Sequence, residues 1–192
     1  VWSLGEVAEA VRDSIWPSPP VHMEFISKIV MDGTGLVVSF TNVPQTYRNL
    51  RLVVTNARRD SSANSGVGIS FNNDTTVGNY GYQRIWNNGV TGGGNGYQST
   101  GLRHVDDFPA TTNSSSAIWD ISNYTDSSVG TTCQVQWDLD GFNSSGKQGV
   151  GGSNYEVASA VTQLDVVSTY TTSGYYFEAP TTFALFGIGK AA

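Results

Sequence analysis

The sequence predicts an all-β protein: a single β-sandwich or jelly roll preceded by a short N-terminal helix. Two observations carry the β assignment. From Met23 onward, short runs rich in Val, Ile, Phe, Tyr and Trp alternate apolar with polar residues and are separated by Gly, Asn, Asp and Ser, the pattern of strands joined by turns. Only 14% of the 192 residues are charged, 22 are glycine and 11% are aromatic, whereas ordinary domains are roughly 25% charged. Aromatic and β-branched residues at this level argue against disorder. The helix rests on a third observation, a different periodicity in the first residues.

Residues 1–20 read as a docking segment and 21–192 as the β domain. Ser3 and Glu6 have the spacing of a capping box. Leu4, Val7, Ala8, Val11 and Ile15 then fall at intervals of three and four, one apolar stripe of an amphipathic helix. Pro17, Pro19 and Pro20 stop the helix and stiffen the chain after it. Such a helix is roughly 20 Å long and marginal alone in water, so its stripe needs a surface. That surface is either a sheet of its own domain or another subunit, with Trp2 and Trp16 as anchors in both cases.

The strands follow in order. Phe25, Ile26, Ile29 and Val30 form the first, and Asp32 to Gly35 turns the chain. Leu36 to Phe40 is the second. Leu50, Leu52 and Val54 alternate along a long third strand. Val67, Ile69 and Phe71 make a fourth, closed by Asn72-Asn73-Asp74. Tyr80, Tyr82, Arg84 and Trp86 share one face of a fifth. Asn87 to Gly96 and Asp140 to Gly152 read as glycine-rich surface loops. Later strands are expected at 117–121, 131–138, 161–168, 174–178 and 182–188. A chain of this length buries roughly two thirds of its unfolded surface and needs no metal or disulfide to supply a core.

Composition and motifs exclude several functions. The net charge of −6 and the scattered ten Lys and Arg provide no basic stripe for nucleic acid. Arg48, Arg51, Arg58 and Arg59 are the densest cationic group, read as a solvated sheet edge or a small anion site. The glycine-rich loop lacks the Gly-Lys-Ser/Thr ending of a phosphate loop. Two histidines far apart have no zinc spacing, and no nucleophile elbow is present. The single cysteine, Cys133, reads as a small buried hydrophobe. No apolar run reaches the length of a membrane helix, and Glu6, Glu9 and Asp13 do not suit a secretory signal. No cofactor and no metal site are expected, although Asn72-Asn73-Asp74 and Asp138-x-Asp140 are rich in the oxygens calcium favours. Asp138 and Asp140 are also the nearest approach to a glycosidase carboxylate pair. Tyr80, Tyr82, Trp86, Tyr97 and Trp119 are the aromatics for which core packing, a subunit interface and a sugar-binding face compete.

Val43-Pro44-Gln45-Thr46-Tyr47-Arg48-Asn49-Leu50 is similar to an I-P-x-T-Y-x-x-L step into an early strand. Phe71-Asn72-Asn73-Asp74 resembles an F-N-x-D, and Ile121 to Tyr124 an I-x-x-Y. Phe177 to Ile188 resembles an F-x-x-G-S-x-x-x-L-Y-G-I ending, with Ala179-Pro180-Thr181 at the Gly-Ser position and Phe186 in place of tyrosine. As an ordered set, these four stretches resemble structural proteins of tailed bacteriophages. The likeness spans about Val38 to Ile188 and leaves out the N-terminal segment. It implies a virion protein, a tail, fibre or capsid-exterior component. Its partners would be other virion proteins and further copies of itself, commonly three, with no catalytic residues, nucleic acid or membrane insertion. The expected arrangement is an N-terminal segment fixed to the particle and a β domain displayed outside. Alternatives are a receptor- or glycan-binding tip, a capsid cement protein and, last, a polysaccharide-degrading enzyme.

Overall fold

A computed structural model describes residues 22–58, 67–76, 78–87, 92–98, 102–105, 115–139, 147–168 and 177–190, with the backbone alone at 95–98, 102–105, 139, 147 and 168. The expected helix, with Leu4, Val7, Val11, Ile15 and the flanking Trp2 and Trp16, lies outside the described residues. Those described form twelve strands: β1 (Met23–Val30), β2 (Val37–Thr41), β3 (Tyr47–Ala57), β4 (Val67–Phe71), β5 (Tyr80–Asn87), β6 (Gly92–Gln98), β7 (Leu102–Val105), β8 (Ser115–Ser122), β9 (Thr131–Leu139), β10 (Lys147–Tyr155), β11 (Gln163–Ser168) and β12 (Thr182–Lys190). Eight make one sheet in the order β1-β12-β3-β8-β9-β10-β5-β6, and four make another, β2-β11-β4-β7. The fold is all-β in two sheets, as a sandwich requires.

The antiparallel pairings nest. β5 pairs with β6, β4 with β7, β3 with β8, β2 with β11 and β1 with β12. The chain is therefore one long ribbon whose tip is the β5–β6 hairpin. Successive rungs fall in alternate sheets as the ribbon rolls up, and β9 and β10 are an added meander that widens the larger sheet.

Alternation along the strands decides the core. β3 turns Leu50, Leu52 and Val54 inward, β8 Ala117, Trp119 and Ile121, and β12 Phe183 and Leu185. They meet Val38 and Phe40 of β2, Ile69 and Phe71 of β4, and Leu164 and Val166 of β11 in one cluster. Each fully buried large apolar side chain contributes about 1.5–3 kcal/mol. Cys133 is buried among them, as its strand context predicts.

Two glycine-rich loops expected from the sequence are corrected by the structure: Gly92–Gln98 is β6, and residues 147–152 of the second belong to β10. The reason lies in one transverse row on the inner face. Trp137 of β9 is opposite Gly149 of β10, which is opposite Trp86 of β5, which is opposite Gly93 of β6. A Cβ on Gly149 would meet the Trp137 ring, and one on Gly93 the Trp86 ring. The missing side chains are the spaces the indoles fill, so glycine here serves a strand. Of the expected strand at 174–178, residues 174–176 lie outside the described set, and Phe177 makes an isolated bridge to Gly35.

Side-chain hydrogen bonds tie the ribbon's turns together. The Tyr124 hydroxyl donates to the Pro44 carbonyl at 2.5 Å and accepts the Tyr47 N–H at 3.3 Å. Asn72, at φ 52°, accepts from the Thr162 and Gln163 amides and donates to the Ala160 carbonyl. Tyr80 stacks on Tyr155 at 4.8 Å and donates to the Asp74 carbonyl.

Candidate functional site

The face of the larger sheet turned away from the core is where chemistry is available. Register places its residues in transverse rows. One row reads Ile85, Val150, Gln136, Ile118, Val53 and Ala184 across six strands. The next reads Gln83, Gly152, Gln134, Asp120, Arg51, Phe186 and Phe25. Charge is sparse along both rows, and the one ionic contact in them is internal. Arg51 binds Asp120 through two hydrogen bonds of 2.7 and 2.9 Å. Of the cationic group considered for an anion site, Arg51 is thus already occupied by a carboxylate, and Arg59 lies outside the described residues.

Two regions of this face differ in character. At the β1–β12 end, Met23 faces Ile188 and Phe25 faces Phe186. The two phenyl rings meet edge-on at 5.8 Å, yet Phe25 remains 58% and Met23 52% exposed. Among the described residues β1 has a neighbour on one side only. It bears Glu24 and Lys28 and a bulge between Phe25 and Ser27, features that discourage open-ended strand addition.

At the other end, a groove runs along β10. Its outward residues are Gln148, Val150, Gly152 and Asn154, lower in the middle than the long side chains of β9 and β5 on either side. Three adjoining hollows result. The central one, about 700 Å³, lies between Gln83 and Ile85 on one side and Gln134 and Gln136 on the other. A second of about 510 Å³ extends toward Asn87 and Gln148. A third of about 330 Å³ extends toward Ser122 and Thr132. Ile85 is 63% and Val150 44% exposed. The amides of Gln83, Gln134, Gln136 and Gln148 are exposed and make no hydrogen bond to another described residue.

The structure distributes the sequence-predicted aromatics differently from a single binding face. Trp119 and Tyr80 are fully buried and Tyr82 nearly so, because their strand parity is that of the core. Of the three competing roles, core packing is the one these three fill, and their place among the ligand or interface candidates is corrected. Trp86 is half-buried against the core edge. Tyr97 has its backbone in β6, and its side chain is not described. Asp138 is exposed on β9, and Asp140 lies outside the described residues. Asp74 is engaged structurally: burial alone would raise its carboxyl. Hydrogen bonds from the Thr76 amide, Asn79, the Thr76 hydroxyl and Tyr155 outweigh that and hold it at about 2. Among the described residues no group of three His, Cys, Asp or Glu could hold a metal ion. The groove amides went unnoticed in the sequence because Gln148 and Gly152 sat in an expected loop. Only the register brings Gln83, Gln134 and Gln148 to one trough.

No protein-family model, curated protein or solved structure matches the chain.

Proposed function

We propose that the protein is a structural component of a bacteriophage virion, fixed to the particle through its N-terminal segment and presenting the β domain on the surface. The observation that carries this reading is the apolar corner of Met23, Phe25, Phe186 and Ile188. It lies at the start of β1, a few residues after the expected docking segment in sequence. Burying such residues against neighbouring subunits contributes about 1.5–3 kcal/mol each, and repetition on a particle multiplies weak contacts.

The winding supports the same reading. The nested ribbon, its rungs alternating between β2-β11-β4-β7 and the larger sheet, follows the double Greek-key course of a jelly roll, an architecture common in viral capsid proteins and lectins. Fold alone does not assign function, and the resemblance of the Val43–Leu50 and Phe177–Ile188 stretches to phage structural proteins supplies the remainder. The protein is then a homo-oligomer, a trimer as in the assemblies that resemblance implies.

Electron cryomicroscopy of the intact particle tests the proposal. Density for this chain with residues 1–20 and the Phe25 corner inserted between subunits is the expected result and separates head from tail. Purified particles that contain no copy of the chain would overturn it. Phe25→Glu should lower incorporation into particles while leaving the soluble domain folded.

A further inference from the structure

We propose that the groove along β10 is a binding site for a neutral carbohydrate chain. The groove is built into the fold. From Gln148 to Ser153 it runs about 17 Å along the strand at ~3.4 Å per residue, long enough for several sugar units. Its floor is open because position 152 is glycine, not because packing forbids a side chain: a Cβ there would meet nothing nearer than the Cys133 carbonyl at 3.9 Å. This glycine differs from Gly149 and Gly93 on the inner face, whose space the indoles occupy.

The lining selects the ligand class. A carboxamide offers two donors and an acceptor in one plane, and a sugar hydroxyl is likewise donor and acceptor. Gln83 and Gln134 face each other across Gly152, and Gln136 and Gln148 flank Val150. Ile85 and Val150 give the apolar contact that the C–H face of a pyranose needs, in the usual mixture of apolar lining and a few fixed polar groups.

Other occupants fit less well. The net charge is −6, and among the described residues the one cation beside the central hollow, Arg84, has inner-face parity. Polyanions are therefore repelled rather than steered in. An extended peptide would bind by adding to a sheet edge, but β10 is hydrogen-bonded to β9 on one side and β5 on the other. The site lies five strand spacings, about 24 Å at ~4.8 Å each, from the Phe25 corner, and stands whether or not the virion reading does.

The test uses the full chain. An array of neutral oligosaccharides (glucans, mannans and galactans) is screened beside sulfated and sialylated ones, and the best neutral binder is titrated calorimetrically. Gly152→Leu, which fills the groove floor, should weaken binding tenfold or more with an unchanged melting temperature. The double variant Gln83→Ala/Gln134→Ala should weaken it about tenfold and keeps the test decisive if the leucine disturbs folding. Failure of every neutral oligosaccharide to bind, binding that survives both variants, or preference for the sulfated ligands would each overturn the proposal. So would a change in oligomeric state caused by Gly152→Leu, which would assign the groove to a second copy of the chain.

Discussion

Trp137 lies on Gly149. The glycine belongs to β10, the tryptophan to β9, and a Cβ on the glycine would come within 3 Å of three atoms of the indole. The contact fixes two things at once. It gives the Trp137 ring a place in the core, and it turns a glycine-rich stretch of low strand propensity into a paired strand that forms the floor of the outer groove.

Gly149→Ala should therefore destabilise the domain by about 2 kcal/mol through overpacking. In a chain of this size that lowers the melting temperature by roughly 4–8 °C. Gly152→Ala, on the open face of the same strand, should change stability by less than ~0.5 kcal/mol. Thermal unfolding followed by tryptophan fluorescence compares the two, and equal losses would contradict the account.

Tyr124→Phe removes the hydroxyl that bridges Pro44 and the Tyr47 amide. A buried donor and acceptor lose their partner, at a cost of about 1–3 kcal/mol. Denaturant unfolding should show a lower midpoint with an unchanged slope, since the folded surface is the same.

Acid should weaken the fold through Asp74. Its folded pKa of about 2 lies below the ordinary 3.8, so the carboxylate stabilises the native state at pH values above the unfolded pKa. That contribution is lost as pH falls from about 5 through 2. For a partly exposed group, solvent screening leaves ~1 kcal/mol. Asp74→Asn should flatten this limb of the stability–pH curve and lower stability at neutral pH.

The Arg51–Asp120 pair is half-exposed on both sides, and its contribution should be small. A double-mutant cycle with Arg51→Ala and Asp120→Ala should return a coupling of about 0.2–1 kcal/mol. The coupling should shrink when salt is raised to about 1 M, where the Debye length is near 3 Å.

Cys133 should be silent toward thiol reagents in the native protein. Burial, aided by the nearby Asp120 carboxylate, pushes its thiol pKa up, and the thiolate is the reactive form. Labelling should proceed only as the domain opens. Rapid modification of the folded chain would show the core packing around β9 to be wrong.

Much of the β architecture was legible along the chain because alternation is a local signal. Leu50, Leu52 and Val54, or Val67, Ile69 and Phe71, announce a buried face wherever the strand is placed. The aromatic parity of Tyr80, Tyr82 and Trp86 was legible too, but its direction was not. For Trp119 and Tyr80 core packing, a subunit interface and a sugar face competed, and their burial was fixed by which sheet closed over them. The groove was illegible: Gln83, Gln134 and Gln148 are dozens of residues apart, and only the β5–β10–β9 register sets them side by side.

By itself the sequence determined that this is a strand-built protein with an apolar core and a surface of few charges. Hydrophobic period and turn chemistry act between near neighbours. Tertiary structure alone decided that glycine stretches become strands, which aromatics are buried, and where an open trough remains. These depend on volume shared between distant residues: Gly149 is a strand residue because Trp137 fills the space it leaves, and Gly152 is a groove because nothing does.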